Sequence, residues 1–426
     1  MTNELAVWLY DANVARIDQV RGRLRLRYTD DALAHYALGV PLLSLSLPLR
    51  PERYTHGVVR PFIDGLLPEG EPRQVLANDL RLARDDTYGL IAALGRDCAG
   101  ALVIQPADDP PPPSATVLTA TPLEDSELED LVRNLRSAPL GVGGSVRISL
   151  AGVQEKLVLT RLPNGGWGRP TAGTPSTHIL KPAIDRFPQT VENEFFCLRL
   201  AHHLGLRVPM ATMTTIGQRR VIVVERYDRR VQEDGSVERI HQEDFCQAMG
   251  VAPEKKYEQD GGPSLRAIAE ILQSAAVAGS LDDLLRAVTL SVLVGNGDAH
   301  GKNYSLLHEP AGTLRLAPIY DVVSTMIYGD DRLAASVDAV GRMDHVTGER
   351  LLNEAVRWGM SRRRGTEIVI ELLDRVPAAA AAAREQTEGI PIGITAVLDA
   401  QVGRLRNGTT VADQHTRSPA RRRGAP

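Results

Sequence analysis

The densest group of reactive side chains in this sequence lies in the nonapeptide Gly-Asn-Gly-Asp-Ala-His-Gly-Lys-Asn, residues 295–303. It brings together the carboxylate of Asp298, the imidazole of His300, the ammonium group of Lys302 and the amide of Asn303. Phosphoryl transfer needs a carboxylate that takes the acceptor's proton, oxygen ligands for Mg²⁺, and a cation that offsets charge on the group in transit. The nonapeptide therefore has the composition of a catalytic loop for phosphoryl transfer.

The spacing around this loop agrees with that chemistry. Asn303 follows Asp298 by five residues, which is the separation between the catalytic Asp and the metal-binding Asn of protein kinases. A second metal-binding Asp is needed further along, and Asp321 follows a short apolar stretch and Tyr320. A turn rich in Gly, Asn and Asp for backbone reasons is an equal alternative. A Walker A loop is excluded, because the spacing is one residue too long and Asn stands where Ser or Thr is required.

A second group of residues has the pattern of a clamp for ATP phosphates. The run from Arg147 to Lys156 predicts a strand, a turn of small residues and a returning strand, which lets backbone N–H groups approach phosphates. Lys181 closes a further strand, where a kinase keeps its phosphate-binding lysine, and its partner should be a Glu on the next helix. Glu194 is the first choice and Glu192 the alternative, although Lys–Glu pairs are usually surface pairs.

The stretch from Val221 to Asp228 predicts a buried strand that runs into polar residues. In a kinase the segment joining the two lobes follows such a strand, so the backbone around Glu225, Arg226 and Tyr227 would meet adenine. The alternative is an ordinary strand end.

Composition limits the classes of protein that can carry these motifs. The chain has 426 residues, of which 43% are hydrophobic and 24% charged, with a net charge of -4. These values are typical of a globular protein of two or three domains and do not favour autonomous binding to nucleic acid. The three cysteines are far apart and fit no metal or redox spacing. Acidic residues near the N-terminus and the lack of an 18-residue apolar run predict a cytoplasmic protein with no membrane partner.

The elements that must position the motifs follow from hydrophobic periodicity and from the breaks between periodic segments. Strands are expected over 5–10, 22–28 and 100–105, and helices over 71–83, 87–94 and 191–204. Leu43, Leu45 and Leu47 repeat the strand pattern, and the alanine run 378–383 predicts an exposed helical turn. The resulting units are 1–107 (N-terminal subdomain), 108–145 (Pro-rich linker and lead-in), 146–230 (N-lobe), 231–406 (helical C-lobe) and 407–426 (disordered basic tail).

Taken in order, these strings resemble the HipA family of bacterial toxin kinases. The resemblance covers almost the whole chain and rests on the segments 45–49, 64–68, 95–97, 149–156, 191–194, 242–244, 256–263, 298–303 and 320–321. It implies an α+β fold: a small N-terminal α/β subdomain, then a bilobal protein-kinase and phosphoinositide-kinase-like domain whose C-lobe is mostly helical.

The resemblance also implies a serine/threonine kinase that uses ATP and Mg²⁺. Asp298, His300 and Lys302 would be catalytic, with Asp298 as the base, and Asn303 and Asp321 would bind the metal. Lys181 would be held by Glu194. ATP contacts would come from Ala151, Gly152, Val153, Gln154, Glu155, Lys156, Lys181, Glu225, Arg226, Tyr227, His300, Gly301, Lys302, Asn303, Tyr320 and Asp321.

The partners implied by the resemblance are a protein substrate, typically an aminoacyl-tRNA synthetase, and a HipB-type helix-turn-helix antitoxin that carries most of the contact with operator DNA. Phosphorylation of the substrate would arrest translation and lead to persistence. Ser149 matches the family's inhibitory autophosphorylation site. A catalytically weak co-repressor, or a kinase for a small molecule or lipid, remains the alternative, since fold alone does not determine the substrate.

Overall fold

The computed structural model describes residues 4–112, 120–136 and 154–407, except 172, 276, 278, 310 and 311. The first of these ranges forms an N-terminal domain in which four antiparallel strands, ordered β3-β2-β1-β4, pack against four helices. Its elements are β1 (Glu4–Leu9), β2 (Ala12–Val20), β3 (Arg23–Tyr28), α1 (Asp30–His35), α2 (His56–Leu66), α3 (Gly70–Asp79), α4 (Thr87–Leu94) and β4 (Leu102–Pro106).

Strand alternation builds this domain as the sequence predicts. In β3 the side chains of Leu24, Leu26 and Tyr28 are buried, while the intervening arginines lie toward solvent. One of them, Arg25, pairs with Asp18 of β2 at 2.6 Å. The arginines of β3 are therefore the solvated face of a sheet.

The segment around Leu43, Leu45 and Leu47 is not a strand, contrary to its alternating pattern. Leu43 and Leu47 are buried in the N-terminal core. The N–H of Leu45, however, donates to Glu243 Oε1 at 3.0 Å, and Ser44 Oγ donates to Glu243 Oε2 at 2.5 Å. The carboxylate of Glu243, which is distant in the sequence, therefore accepts hydrogen bonds that the backbone of a neighbouring strand would accept in a sheet.

A six-stranded antiparallel sheet with the order β5-β7-β6-β8-β10-β9 forms the second unit, the sheet lobe (residues 120–136 and 154–225). Its elements are β5 (Ala120–Leu123), α5 (Asp125–Asn134), β6 (Leu157–Arg161), β7 (Trp167–Pro170), β8 (His178–Pro182), α6 (Thr190–His203), β9 (Ala211–Ile216) and β10 (Arg219–Glu225).

The predicted linker 108–145 therefore contains part of this lobe, and the predicted boundary at residue 146 is too late. β5 pairs with β7, and α5 buries Leu128, Leu131 and Val132 against the sheet. The apolar face of α5 has helical spacing, which the neighbouring proline run conceals when the segment is read as one linker.

The third unit, the helical lobe (residues 229–407), packs around a hydrophobic core that it shares with α6 of the sheet lobe. Its elements are β11 (Arg229–Val231), β12 (Val237–Arg239), β13 (His241–Asp244), α7 (Phe245–Ala248), α8 (Leu265–Ser274), α9 (Ser280–Val294), β14 (Ser305–His308), β15 (Leu314–Leu316), β16 (Arg332–Val337), β17 (Val340–Arg342), α10 (Gly348–Arg357), α11 (Arg362–Gln386) and α12 (Ile394–Arg406).

The alanine run predicted as an exposed turn lies inside α11, where Ala379, Ala380 and Ala383 are buried in that core. Small side chains allow α11 to lie close to its neighbours, among them α6 and α9. Within the described residues, no helix combines the length and the apolar content needed to cross a membrane. The predicted tail beyond residue 407 is outside the described residues.

Candidate active site

A cavity of about 980 Å³ lies where the three units meet. The sheet lobe contributes Lys181 and the apolar side chains of Ile179 and Val224 to its walls. The helical lobe contributes the candidate catalytic residues, and the N-terminal domain contributes Glu69. The described walls therefore bring together an apolar surface and a dense set of charges, as a nucleotide site requires.

Lys181 on β8 is held between two carboxylates. Its Nζ donates to Glu194 Oε1 at 2.8 Å and to Asp321 Oδ1 at 2.7 Å. Burial acts to lower the pKa of Lys181, but the two carboxylates outweigh it and the pKa is raised. Lys181 is therefore cationic at neutral pH and links the sheet lobe to the helical lobe.

Glu194, rather than Glu192, faces Lys181. Glu192 instead pairs with Arg220 at 3.2 Å on another side of α6. Residues two apart on an α-helix differ in direction by about 200°, so only one of the two can point at a given neighbour.

Asp321 occupies a backbone conformation that non-glycine residues rarely adopt, with φ of 56°. The preceding residue is anchored, since the Tyr320 hydroxyl donates to Lys302 O at 2.5 Å and lies 2.6 Å from Ser305 Oγ. Such a conformation costs roughly 1–3 kcal/mol and persists where the surroundings impose it, often at functional sites. Burial acts to raise the pKa of Asp321, but the charge of Lys181 outweighs it and the pKa is lowered.

The candidate catalytic loop follows directly from the end of α9. Gly295 ends the helix in a left-handed conformation, with φ of 70°. Gly297 passes so close to the backbone of Arg332 that an added Cβ would lie 2.2 Å from its carbonyl oxygen. Both glycines are needed for the backbone geometry of a turn, as the alternative interpretation of the loop predicts. The same turn presents Asp298 to the cavity.

The Asp298 carboxylate is held by a residue that the sequence reasoning did not single out. Tyr257 donates from its hydroxyl to Asp298 Oδ1 at 2.7 Å, and its ring lies edge-on to His300 with the ring centres 5.3 Å apart. Burial raises the pKa of Asp298, the Tyr257 hydrogen bond opposes this, and the charge of Asp321 adds to it. The arrangement is that of an oriented carboxylate with enhanced basicity.

Asn303, the last residue of the loop, is bonded back to Asp298. Its Nδ2 donates to the backbone oxygen of Asp298 at 2.8 Å, so its Oδ1 is the atom left to act as a ligand. No cluster of three or more His, Cys, Asp or Glu side chains able to hold a metal ion occurs among the described residues. Asn303 and Asp321 do fit Mg²⁺, which commonly takes one or two protein oxygens together with phosphate oxygens and waters.

His300 and Lys302, the other two residues that the resemblance makes catalytic, both line the cavity. Burial, followed by the charge of Lys256, lowers the pKa of His300 to about 3, so its imidazole is neutral at physiological pH. Lys302 Nζ donates to Asp244 Oδ2 at 2.6 Å and to Gly65 O at 3.1 Å. These contacts tie the Lys302 ammonium group to β13 and to the N-terminal domain, so it is already paired in this structure.

Gly301, a predicted ATP contact, is not among the residues that form the cavity walls. An added Cβ would lie 2.5 Å from Pro263 Cγ and 3.1 Å from Cys246 Sγ. Gly301 is therefore required for packing of the loop against the segment 256–263, rather than for contact with a nucleotide.

The predicted adenine segment lies along the cavity, with Glu225, Arg226 and Tyr227 all in its wall. The N–H groups of Glu225 and Arg226 are already bonded to backbone oxygens of Met210 and Thr177, at 2.8 and 2.9 Å. An adenine could therefore contact only the remaining backbone groups of this segment.

Two tyrosine side chains lie at the predicted adenine segment, whereas its arginine side chain is directed elsewhere. The Tyr227 ring lies 5.4 Å from that of Tyr320, centre to centre, so the two rings form an aromatic surface at the cavity. The Arg226 side chain points away into a buried ion cluster.

Of the predicted phosphate loop, Gln154, Glu155 and Lys156 line the cavity. Burial, followed by the charge of Lys181, lowers the pKa of Lys156 to about 8. The other members of the loop, Ala151, Gly152 and Val153, and the predicted modification site Ser149 lie outside the described residues.

Among the residues that line the site and to which the sequence reasoning assigned no role are Glu69, Asp244 and Tyr257. The only available signal was that Asp244 and Tyr257 belong to strings that resemble the HipA family. No local pattern connects them with Asp298, because their contacts join segments far apart in the chain.

The Tyr257 hydroxyl gives a first testable prediction. We expect Tyr257→Phe to lower kcat by about 3- to 30-fold, because the Asp298 carboxylate loses its orienting hydrogen bond. The KM for ATP should stay within twofold of the wild-type value, since the hydroxyl faces the base. Steady-state kinetics test this, with Tyr36→Phe, an exposed tyrosine of the N-terminal domain, as the control. An unchanged kcat in Tyr257→Phe would show that the hydrogen bond does not orient the base.

The fold and the site together define a protein-kinase-like enzyme, in which a sheet lobe carrying a paired Lys and Glu faces a helical lobe carrying Asp298 and Asp321. Comparisons with known proteins agree. Residues 5–105 match the family described as HipA N-terminal domain, and residues 148–380 match the HipA-like C-terminal domain. The chain belongs to the HipA family of protein kinases.

Individual relatives support this assignment. The chain is 44% identical over 293 residues to the protein Y4mE of Sinorhizobium fredii, covering 68% of this chain and 69% of that one. It is 32% identical over 348 residues to the serine/threonine-protein kinase toxin HipA of Shewanella oneidensis, covering 75% and 77%.

A solved structure agrees as well. A chain in the complex of Shewanella oneidensis HipA, HipB and operator DNA matches with a TM-score of 0.78 and 26% identity, covering 94% of this chain and 95% of that one. The predicted α+β class, with an N-terminal subdomain and a bilobal kinase-like domain, is confirmed.

Proposed function

We propose that this chain is the toxin of a toxin–antitoxin module and transfers the γ-phosphate of ATP to Ser or Thr of a protein. The observation that carries the proposal is the position of Lys181, which bonds to both Glu194 and Asp321 inside the cavity that Asp298 and Asn303 also line. In protein kinases a Lys–Glu ion pair and a metal-binding Asp must both be in place for transfer.

The residues present support a division of labour for ATP and Mg²⁺. Asn303 and Asp321 would hold the metal, which supplies charge compensation for the phosphates. Lys181, Lys156 and the remainder of the segment 151–156 would hold the phosphates, and the segment 225–227 with Tyr320 would hold the adenine. Asp298 would accept the proton of the acceptor hydroxyl through the oxygen that faces the cavity.

A regulatory site and partners complete the proposal. Ser149 would be the autophosphorylation site: a phosphate there adds about −1.5 to −2 charges next to a loop meant to bind phosphates, so it would oppose ATP binding. A HipB-type antitoxin would neutralise the kinase and carry most of the contact with operator DNA. The protein substrate would be an aminoacyl-tRNA synthetase in the cytoplasm, and its modification would arrest translation.

Phosphoproteomics after brief induction tests this function. We expect new Ser or Thr phosphorylation on one or a few proteins, a synthetase among them, and on Ser149 of the chain itself, together with growth arrest. Induction of Asp298→Asn should produce none of these changes. Identical phosphoproteomes with the two forms would refute the kinase toxin and favour a co-repressor. Label that appears only in lipid or small molecules would favour the other alternative.

A further inference from the structure

Glu69 of the N-terminal domain makes contacts that its position at a helix terminus does not require. It occupies the N-cap of α3, where a side chain usually accepts a hydrogen bond from the first turn, yet its carboxylate makes no such bond. Instead Glu69 Oε2 lies 3.1 Å from Lys256 Nζ, and its Oε1 lies 3.9 Å from Lys302 Nζ. The carboxylate thus bridges two ammonium groups of the helical lobe.

Both of those lysines belong to segments that hold Asp298. Lys302 is in the same loop, and its carbonyl oxygen accepts the hydroxyl of Tyr320, the residue before Asp321. Lys256 accepts the N–H of Gly301 on its carbonyl at 3.2 Å and precedes Tyr257, which bonds to Asp298. A displacement of either lysine would therefore be transmitted directly to the catalytic loop.

The cluster is charge-balanced and nearly closed to solvent. Two cations, Lys256 and Lys302, face two carboxylates, Glu69 and Asp244, and the four side chains are between 5% and 12% exposed. Within this cluster Asp244 forms its ion pair with Lys302, at 2.6 Å, and the carboxylate paired with Lys256 is that of Glu69. Removing one carboxylate from such a cluster leaves a poorly solvated cation without its partner. Pairing with another carboxylate would then lower the free energy of that cation.

We infer that Glu69 is a positioning residue of the kinase centre, through which the N-terminal domain keeps Lys256 away from the base Asp298 and holds the catalytic loop in place. Lys256 lines the same cavity as Asp298 and is near enough to act on the charge of that carboxylate. Without Glu69, Lys256 would pair with Asp298 and occupy the lone pair that must receive the proton. The inference rests on the proposed role of Asp298.

The test is Glu69→Gln in the full chain, with Glu4→Gln as the matched control. Glu4 is on the same domain and also forms an ion pair, with Arg27 at 3.0 Å, but on the strand β1 and away from the cavity walls. We expect kcat for transfer from labelled ATP to the chain itself to fall about 10- to 100-fold in Glu69→Gln, as misplacement of a catalytic group does. The KM for ATP should stay within threefold, and Glu4→Gln should match the wild type.

A second variant separates positioning from loss of structure. Glu69→Gln/Lys256→Met removes the released cation, so it should regain at least part of the lost kcat, which a merely structural defect would not do. A wild-type kcat in Glu69→Gln, or a double variant no faster than the single one, would overturn the inference. Asp298→Asn distinguishes failure of the inference from failure of the proposed function. If Asp298→Asn transfers phosphate at the wild-type rate, the proposed function itself fails. If Asp298→Asn is inactive while Glu69→Gln is fully active, only the role of Glu69 is refuted.

Discussion

Asp298→Asn is expected to lower the rate of phosphoryl transfer by about 10²- to 10⁴-fold, the range typical of a general base. The substitution keeps the size of the side chain, and the amide oxygen can still accept the hydrogen bond that Tyr257 donates at 2.7 Å. The amide cannot accept the proton of the acceptor hydroxyl. The defect should therefore lie in kcat, while the affinity for ATP stays within a few-fold of the wild-type value.

Single-turnover transfer from labelled ATP and direct titration with a non-hydrolysable ATP analogue measure the two quantities separately. Asp344→Asn is a suitable control, because this aspartate pairs with Arg342 on the surface of the helical lobe. Transfer by Asp298→Asn within tenfold of the wild type would show that another group takes the proton.

Asp97→Asn is expected to give the largest loss of stability. Asp97 is buried at the contact between the N-terminal domain and the segment that leads out of β10, where it lies 2.8 Å from Arg229, 3.3 Å from Arg226 and 3.6 Å from Arg239. The second carboxylate of the cluster, Asp228, pairs with Arg226 and Arg229. Removal of one partner from a buried ion cluster typically costs about 3–5 kcal/mol.

The effect should depend on pH in a defined direction. Burial acts to raise the pKa of Asp97, but the charges of Arg229, Arg226 and Arg239 outweigh it and the pKa is lowered. The stabilisation by the carboxylate is therefore complete above its unfolded-state pKa, about 3.9, and is lost as the pH falls through the lower folded-state value. Wild type and Asp97→Asn should differ fully at pH 7 and converge in strong acid.

Urea denaturation followed by fluorescence measures this difference, and one tryptophan lies in each unit: Trp8, Trp167 and Trp358. Asp18→Asn is the matched control, because Asp18 forms a partly exposed pair with Arg25 that should be worth less than about 1 kcal/mol. If Asp97→Asn unfolded at the same urea concentration as Asp18→Asn at pH 7, the buried cluster would not stabilise the contact between the units.

The N-terminal domain thus meets the kinase-like domain at several separate contacts. Asp97 contacts the predicted adenine segment through Arg226, and Glu69 contacts Lys302 of the catalytic loop and Lys256 of the neighbouring segment. At a third contact, Glu243 of the helical lobe accepts hydrogen bonds from Ser44 and Leu45. These contacts make the domain a structural part of the kinase centre.

Several features of the fold could be predicted because they depend on neighbours in the sequence. The helix α4 occupies the predicted range 87–94, and Gly295, the first residue of the candidate catalytic loop, is the left-handed glycine that ends α9. Helical periodicity and a glycine in the left-handed region are local properties that survive in almost any tertiary context. The element boundaries near residues 120–135 could not be predicted, since a four-residue edge strand is identified only by its partner β7.

The sequence by itself determined which chemical groups are available and in what order: the Asp, His, Lys and Asn of the loop 298–303, the lysine that ends β8, and a glutamate on the helix that follows. Only the tertiary structure decided where those groups point. Lys302 and Asp298 are four residues apart and both line the cavity, yet Lys302 is bonded to the N-terminal domain and Asp298 to Tyr257. The direction of a loop side chain is set by its non-local neighbours, and here those neighbours come from segments that are distant in the chain and become adjacent only in the folded protein.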